Sequence, residues 1–162
     1  MPSAKAKIRT FGPGDASYVS YLHMKLYGGE RYRFKPIFEY YVMKGLTEFM
    51  RAPEGGELWI AEVNGVTAGA VAIVKARSGD AQLRWFIVDE ELQGTGIGRE
   101  LLNTALRFCR EQGYKRVFLW TVSLLETARR LYKTSGFTLV EEKTNDEWTD
   151  EVITEERWDL VL

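Results

Sequence analysis

The chain contains 162 residues, 45% of them hydrophobic, and carries a formal charge of −1 at pH 7. This length and composition predict a single globular domain over residues 1–162 with a sizeable core. The nearly balanced charge argues against a generally basic nucleic-acid-binding protein. No apolar run reaches the roughly 18 residues of a transmembrane helix, and residues 1–5 lack the apolar core of a signal peptide, so we expect a cytoplasmic protein without a membrane partner.

Cysteine and histidine each occur once in the sequence. Cys109 excludes an internal disulfide, suits a reducing compartment, and is predicted to be a packing residue within a helix. His23 stands alone, which leaves no histidine and cysteine cluster for a metal. We therefore expect no metal cofactor.

The elements alternate along the chain without linkers or repeats. An Asn64-Gly65 pair between two apolar runs predicts a β-hairpin, and apolar residues at helical spacing begin at Ile97. In chain order, the predicted elements are a strand at 7–11, helices at 15–27 and 34–51, strands at 57–63, 66–75 and 81–88, a helix at 97–113, a strand at 116–121, a helix at 124–135, and strands at 137–141 and 152–162. This order predicts an α/β (α+β) fold, with a mixed, mostly antiparallel central sheet of about six to seven strands and helices on both faces.

A glycine-rich turn joins the strand at 81–88 to the helix at 97–113, and it is the most informative local feature. Its sequence is Gln93-Gly94-Thr95-Gly96-Ile97-Gly98. Glycines let the backbone approach a ligand, and the unpaired N–H groups of the following helix attract phosphate. An ordinary strand-to-helix turn is the alternative for such a short motif. A Walker A loop and a dinucleotide fingerprint are both excluded, because the required lysine and the downstream acidic residue are missing.

A second motif follows one strand later, where residues 128–137 read A-x-x-L-Y-x-x-x-G-F, from Ala128 to Phe137. Together with the Q-x-x-G-x-G turn, the two helices near the start and the Asn-Gly hairpin, it resembles the GNAT superfamily of acetyl-CoA-dependent N-acetyltransferases. The resemblance covers essentially the whole chain. More narrowly, the chain is similar to the acetyltransferase module that follows a DNA-binding regulator domain in some bacterial proteins.

The resemblance implies a binding site for acetyl-CoA, used as a co-substrate. The pantetheine arm would pair with the main chain of the strand, as an added β-strand does, at Phe86, Ile87 and Val88. The pyrophosphate would meet the N–H groups of the turn residues, namely Gln93, Gly94, Thr95, Gly96, Ile97 and Gly98. Arg99 either adds its guanidinium to the phosphates or is a solvated surface charge.

The resemblance also assigns Tyr132 as the general acid that protonates the departing thiolate, against the alternative of a core tyrosine. Two positions depart from the family pattern. Gln82 stands where many members have a glutamate base, and Leu125 stands where many have an asparagine that contacts the coenzyme. Glu30, between the first two helices, is the candidate base, with a solvated loop glutamate as the alternative.

Three features bear on the acceptor. Strand alternation predicts that Gln82, Arg84 and Phe86 share a face toward the cleft, where Arg84 either binds a substrate carboxylate or pairs with a neighbouring helix. Six aromatic residues between 27 and 41, beginning with Tyr27, form helix core or an acceptor wall. Residues 141–156 carry eight acidic side chains and one lysine, which indicates a solvated hairpin loop or a region that attracts cationic amines.

These observations predict an enzyme that transfers an acetyl group from acetyl-CoA to a primary amine of a small molecule, by direct attack in a ternary complex. Two alternatives stay open, a non-catalytic acyl-CoA-binding sensor and a protein lysine or N-terminal acetyltransferase. The oligomeric state is open as well, including a homodimer.

Overall fold

The computed structural model describes residues 5–162, which form a seven-stranded sheet with helices on both faces. The strands are β1 (Lys7–Thr10), β2 (Glu57–Val63), β3 (Val66–Lys75), β4 (Ala81–Val88), β5 (Arg116–Val122), β6 (Thr138–Asn145) and β7 (Ile153–Val161). The helices are α1 (Asp15–Tyr27), α2 (Pro36–Arg51), α3 (Ile97–Glu111) and α4 (Glu126–Thr134), and a short 3₁₀ turn covers Glu90–Leu92. The predicted fold class is confirmed.

The strand order is β1-β2-β3-β4-β5-β7-β6, and β4 and β5 are its parallel pair. All other neighbouring strands run antiparallel. The parallel pairing is short, because only Ala81 and Gln82 have partners on β5, namely Val117 and Phe118. Beyond Gln82 the two strands diverge, so the sheet contains a gap that opens toward their carboxyl ends.

The core lies in two layers, one on each face of the sheet. On one face, α1 and α2 bury Val19, Leu22 and Leu46 against the sheet. On the other face, α3 and α4 bury a second cluster that includes Leu101, Cys109 and Tyr132. Cys109 is therefore a packing residue, as predicted, and burial raises the pKa of its thiol to about 12. No helix within residues 5–162 is long and apolar enough to cross a membrane.

A β-bulge in the middle of β4 changes which face its residues occupy. Ala70 of β3 pairs with Ile87 and Ala72 pairs with Arg84, so Trp85 and Phe86 lie opposite one residue of β3. Trp85 adopts the unusual φ of 47° and faces α2, as Arg84 does. Phe86 faces α3 and α4 instead. The prediction that Phe86 shares a face with Gln82 and Arg84 is therefore wrong, because an inserted residue interrupts strand alternation.

Candidate active site

The gap between β4 and β5 opens into a pocket of about 380 Å³. Its walls combine aromatic side chains from α1 and α2 with residues of the diverging strands, of α4 and of the β6–β7 hairpin. The lining residues are His23, Tyr27, Phe34, Phe38, Tyr41, Val42, residues 82–86, residues 119–122, Leu125, Ala128, Tyr132, Lys143, Trp148 and Glu155. The pocket thus reaches both faces of the sheet.

The free edge of β4 offers main-chain groups to this gap. The N–H of Asp89 donates to Ala68 of β3, so by alternation the main chain of Val88 and of Phe86 points away from β3 and into the gap. Ile87 differs from the prediction, because its carbonyl oxygen points at Gly69 of β3. The Val88 carbonyl accepts a hydrogen bond from Nε2 of Gln93 at 3.2 Å, which ties the glycine-rich turn to the strand end.

The glycine-rich turn presents an open backbone surface at the start of α3. Gly94 and Gly96 have φ values of 81° and 92°, and a Cβ added to either would meet nothing within 4 Å. Glu100 donates to the carbonyl of Gly96, so the N–H groups of residues 97–99 precede the first helical hydrogen bond. They carry the positive end of the helix dipole, which suits a phosphate.

The side chains of the turn differ in what they can contribute to a ligand. Ile97 is buried in the core, so only its N–H group is available. Gln93, Thr95 and Arg99 are exposed, and Arg99 projects from the first turn of α3. A Cβ on Gly98 would lie at ordinary contact distances of 3.6–3.8 Å from Val88, Phe86 and Leu131. The helix start therefore packs directly on the strand that borders the gap.

Tyr132 projects from α4 into the pocket and is 5% exposed. Its ring lies 6.2 Å from that of Phe86 and 5.8 Å from that of Phe137, between centroids. Desolvation, with a smaller contribution from Tyr27, raises the pKa of the Tyr132 hydroxyl above its usual range. This tyrosine therefore carries its proton at neutral pH, as the predicted general acid must.

A partly buried ion pair fixes α4 against the sheet. Arg129 donates to both carboxylate oxygens of Glu156, at 2.8 Å and 3.1 Å, and Glu156 is 2% exposed. Trp158 adds a hydrogen bond to the same carboxylate at 3.4 Å. Because Arg129 precedes Tyr132 by one helical turn, this pair orients the helix face that carries the tyrosine.

Gln82 and Arg84 lie on the other side of the gap and line the pocket, as predicted. Arg84 is half-buried, and its guanidinium carbon lies 4.5 Å from the centre of the Trp85 ring. Within residues 5–162 no carboxylate lies within ion-pair distance of Arg84, so the predicted alternative of an ion pair with a helix is not formed. Desolvation lowers the pKa of Arg84, while the charge of Glu48 opposes that shift.

The aromatic residues of α1 and α2 serve both as core and as a wall of the pocket. Tyr27 is 8% exposed, and its ring stacks on Phe34 at 5.5 Å. Trp148, from the β6–β7 connection, packs on Phe34 and Phe38, and its carbonyl accepts a hydrogen bond from the N–H of Lys35 at 2.7 Å. The hairpin and the α1–α2 connection therefore join over the pocket.

His23 lies beside this wall and lines the pocket. Its Nδ1 lies 2.7 Å from the carbonyl oxygen of Val19 and donates to it in the neutral ring. Desolvation, opposed by that hydrogen bond, lowers the pKa of His23 to about 4. Within residues 5–162 no cluster of histidine, cysteine or acidic residues could hold a metal ion.

The structure does not bring Glu30 into the pocket. Glu30 is exposed on the turn between α1 and α2, where its carbonyl accepts from Arg33, and it is absent from the pocket lining. The carboxylate that does line the pocket is Glu155 of β7, which is 8% exposed. Sequence reasoning missed it, because Glu155 lies in the acidic stretch 141–156, which resembles a solvated loop.

Comparison with known proteins agrees with this architecture. The sequence matches the acetyltransferase (GNAT) family over residues 21–137. It is 34% identical over 113 residues to N-acetyltransferase 8 of Rattus norvegicus, an alignment that covers 67% of this chain and 49% of that protein. The chain thus spans about half the length of the curated relatives it matches.

Solved structures share the whole fold at low sequence identity. A GNAT-family acetyltransferase from Staphylococcus aureus Mu50 matches with a TM-score of 0.80 and 15% identity, covering 98% of this chain and 99% of that one. A Salmonella typhimurium structure, solved with its cofactor acetyl-CoA, matches with a TM-score of 0.74 and 20% identity, covering 97% and 94%. Because the family match extends over most of the chain, this protein belongs to the GNAT family of acetyltransferases.

Proposed function

We propose that this protein transfers the acetyl group of acetyl-CoA to the primary amine of a small molecule that also carries a carboxylate. The observation that carries the proposal is the pocket itself, in which a protonated Tyr132 faces the gap between β4 and β5. On the opposite wall lies Arg84, which has no ion-pair partner among residues 5–162. Family membership supports acetyl transfer, and the pocket walls support the class of acceptor.

The coenzyme side of the proposed site is built mainly from backbone. The main chain of Phe86 and Val88 would pair with the pantetheine amides, and the N–H groups of the turn and of the α3 start would hold the pyrophosphate. Arg99 would add a charge near the phosphates. No asparagine is present at Leu125 to contact the coenzyme, so the backbone carries this part of the binding.

Tyr132 would donate its proton to the departing sulfur. A dry environment disfavours the charged thiolate, and burial raises the pKa of the Cys109 thiol elsewhere in the fold for this reason. A thiolate released beside Tyr132 would meet the same dry environment that raises the pKa of the tyrosine hydroxyl, so burial there raises the proton affinity of the sulfur as well.

The acceptor side favours a small molecule over a peptide. The pocket volume of about 380 Å³ is that of a small-ligand site. The main-chain hydrogen bond from Lys35 to Trp148 and the aromatic contacts of Trp148 close the pocket on the side of the β6–β7 hairpin. This closure leaves less room for a peptide than for a small molecule. An arginine in a partly dry pocket binds a carboxylate more strongly than one at the surface does.

Coenzyme binding is tested by thermal unfolding with and without acetyl-CoA. At 100 times its Kd, the coenzyme should stabilise the fold by about 2.7 kcal/mol and raise Tm by about 5–10 °C. Gly96→Val should abolish that increase, because its side chain would enter the open surface over the turn. Gly14→Val is the matched control, because Gly14 also precedes a helix with a positive φ of 86° and open surroundings. Both variants should lose stability similarly, and only the first should lose the response to acetyl-CoA.

Acetyl transfer is tested by thiol release from acetyl-CoA in the presence of a library of primary amines. We expect turnover with small amines that bear a carboxylate. Binding of acetyl-CoA without turnover on any amine would indicate an acyl-CoA-binding sensor instead. Turnover only on peptide lysines or N-termini would refute the proposed class of acceptor.

A further inference from the structure

We infer that Glu155 binds the ammonium group of the acceptor and removes its proton before attack on the thioester. This inference rests on the proposed function and assigns its general base, a role that neither Gln82 nor Glu30 can fill. Gln82 has no carboxylate, and Glu30 lies outside the pocket.

The sheet places Glu155 on the acceptor side of the pocket. On β7 it lies opposite Val122 of β5 and opposite Lys143 of β6. Directly opposed residues share a face, and Val122 belongs to the layer covered by α1 and α2. Glu155 therefore faces the same side of the sheet as Arg84 and the aromatic wall, away from the α3 start that would hold the coenzyme phosphates.

The hydrogen bonds of Glu155 leave one of its oxygens free. Nδ2 of Asn145 donates to Oε2 at 3.2 Å, and Nζ of Lys143 lies 3.9 Å from the same atom. Oε1 accepts no hydrogen bond from residues 5–162. Oε1 is not fully buried either, because among the described residues Ser20 Oγ is the one fully buried side-chain polar atom that lacks a hydrogen-bond partner. Oε1 therefore keeps some solvent exposure, and because Glu155 lines the pocket, this oxygen is the one we assign to accept from an ammonium group.

The positive charge nearest to Glu155 belongs to Lys143, whose Nζ pairs with Oε2 of Glu155 at 3.9 Å and also lies over the Trp120 ring. Nζ of Lys143 lies 4.4 Å from the centre of the Trp120 ring, and its side chain is 54% exposed. The other titratable groups that line the pocket are His23, Tyr27, Tyr41, Arg84 and Tyr132, and Arg157 lies two residues along β7 in an ion pair with Asp159. Among the pocket-lining residues, Glu155 is thus the carboxylate that faces an incoming cation.

His23 is the alternative proton acceptor in the pocket, and it is less suited. Its Nδ1 is bound to the Val19 carbonyl, and its burial disfavours the protonated ring. A neutral imidazole also offers an ammonium no opposite charge. Glu155 supplies both the attraction and the proton acceptor.

The proton balance of the reaction is complete with Glu155 and Tyr132. The ammonium gives its first proton to Glu155, and its nitrogen then forms the bond to the acetyl carbon. The carbon–sulfur bond breaks, and sulfur takes the proton of Tyr132. The second proton lost by nitrogen replaces the one that Tyr132 gave. The products are an amide, a thiol and one proton, which Glu155 releases to solvent.

The test compares two acceptors of equal length in the wild type and in Glu155→Gln. β-Alanine is an ammonium at pH 7, whereas aminooxyacetate, an alkoxyamine, is unprotonated at that pH. For β-alanine, kcat/KM of the variant should fall about 100-fold, which is within the usual range for loss of a general base. It should then rise about tenfold per pH unit from pH 7 to 9 as free amine accumulates. For aminooxyacetate, the fall should be threefold or less, which also shows that the variant is folded.

Glu142→Gln is the matched control. Glu142 lies on the same hairpin, is exposed, and pairs with Glu156 on the opposite face of the sheet. It should leave kcat/KM for both acceptors unchanged. Equal losses on the two acceptors in Glu155→Gln, or no loss on either, would overturn the role of Glu155. A wild type that binds acetyl-CoA but acetylates neither compound would instead refute the proposed function.

Discussion

Replacing Arg84 tests whether the pocket selects acceptors by their negative charge. Arg84→Ala removes a half-buried guanidinium that lies over Trp85 and has no carboxylate partner within residues 5–162. Hydrogen bonds to charged groups contribute about 1.5–3 kcal/mol, and about 1.4 kcal/mol corresponds to a factor of ten. KM for β-alanine should therefore rise by one to two orders of magnitude.

Steady-state kinetics with β-alanine and with its neutral amide isolate this effect. KM for the amide should change by less than threefold, because it offers Arg84 no negative charge. Arg84→Lys should be intermediate for β-alanine, since an ammonium keeps the charge but loses the planar pair of donors.

Gly45→Ala provides a second perturbation, which keeps the arginine but displaces it. A Cβ on Gly45 would lie 2.7 Å from Nη2 of Arg84 and 2.9 Å from Cζ2 of Trp85, so the guanidinium must shift. KM for β-alanine should rise by a smaller factor than in Arg84→Ala. Equal effects of Arg84→Ala on both acceptors would mean that Arg84 is structural. A clear preference for polyamines would point to the acidic stretch 141–156 instead.

Two further predictions concern the acid and the buried histidine. Tyr132→Phe keeps the ring and removes the proton, so kcat should fall about 100-fold with little change in acetyl-CoA affinity. An unchanged kcat, with acetyl transfer shown to be rate-limiting, would reduce Tyr132 to a packing residue. His23 should make stability depend on pH, because its folded pKa of about 4 lies below the unfolded value of about 6.5. The unfolded state binds the extra proton in this window, so stability falls as pH drops from 6.5 to 4, by about 3 kcal/mol. Urea unfolding of His23→Gln should lack this loss. Because His23 is the only histidine, identical pH dependence in both proteins would contradict its burial.

Much of the fold could be predicted because local signals agreed with the final packing. Asn64 and Gly65 have positive φ values and form the predicted hairpin turn. The predicted helix at 15–27 matches α1, and the helix at 97–113 differs from α3 by two residues. Strand β6 extends to Asn145, four residues beyond the prediction. Its exposed, charged residues carry no apolar alternation, and only their pairing with β7 reveals the strand.

The candidate site was less predictable because it depends on interruptions of regular structure. The positions of the glycine-rich turn and of Tyr132 follow from motifs and adjacent elements. The bulge at Trp85 leaves no such signal, so alternation placed Phe86 on the wrong face. Glu155 could not be singled out within the acidic stretch 141–156, because composition alone cannot distinguish a buried carboxylate from a solvated one. Glu30 was chosen for its loop, and although Phe34 of that loop lines the pocket, Glu30 itself does not.

The bulge in β4 separates the part of the strand that lines the proposed acceptor site from the part that borders the proposed coenzyme site. Before the bulge, Gln82 and Arg84 line the wall where we propose that the acceptor binds, and after it Phe86 and Val88 border the gap proposed for the coenzyme. We therefore expect substitutions at Gln82 and Arg84 to change the preferred amine while the affinity for the acetyl donor stays the same. An acetyltransferase built in this way can acquire new substrates through a few point mutations, and libraries aimed at new acceptors should vary those two positions and leave the rest of the strand intact.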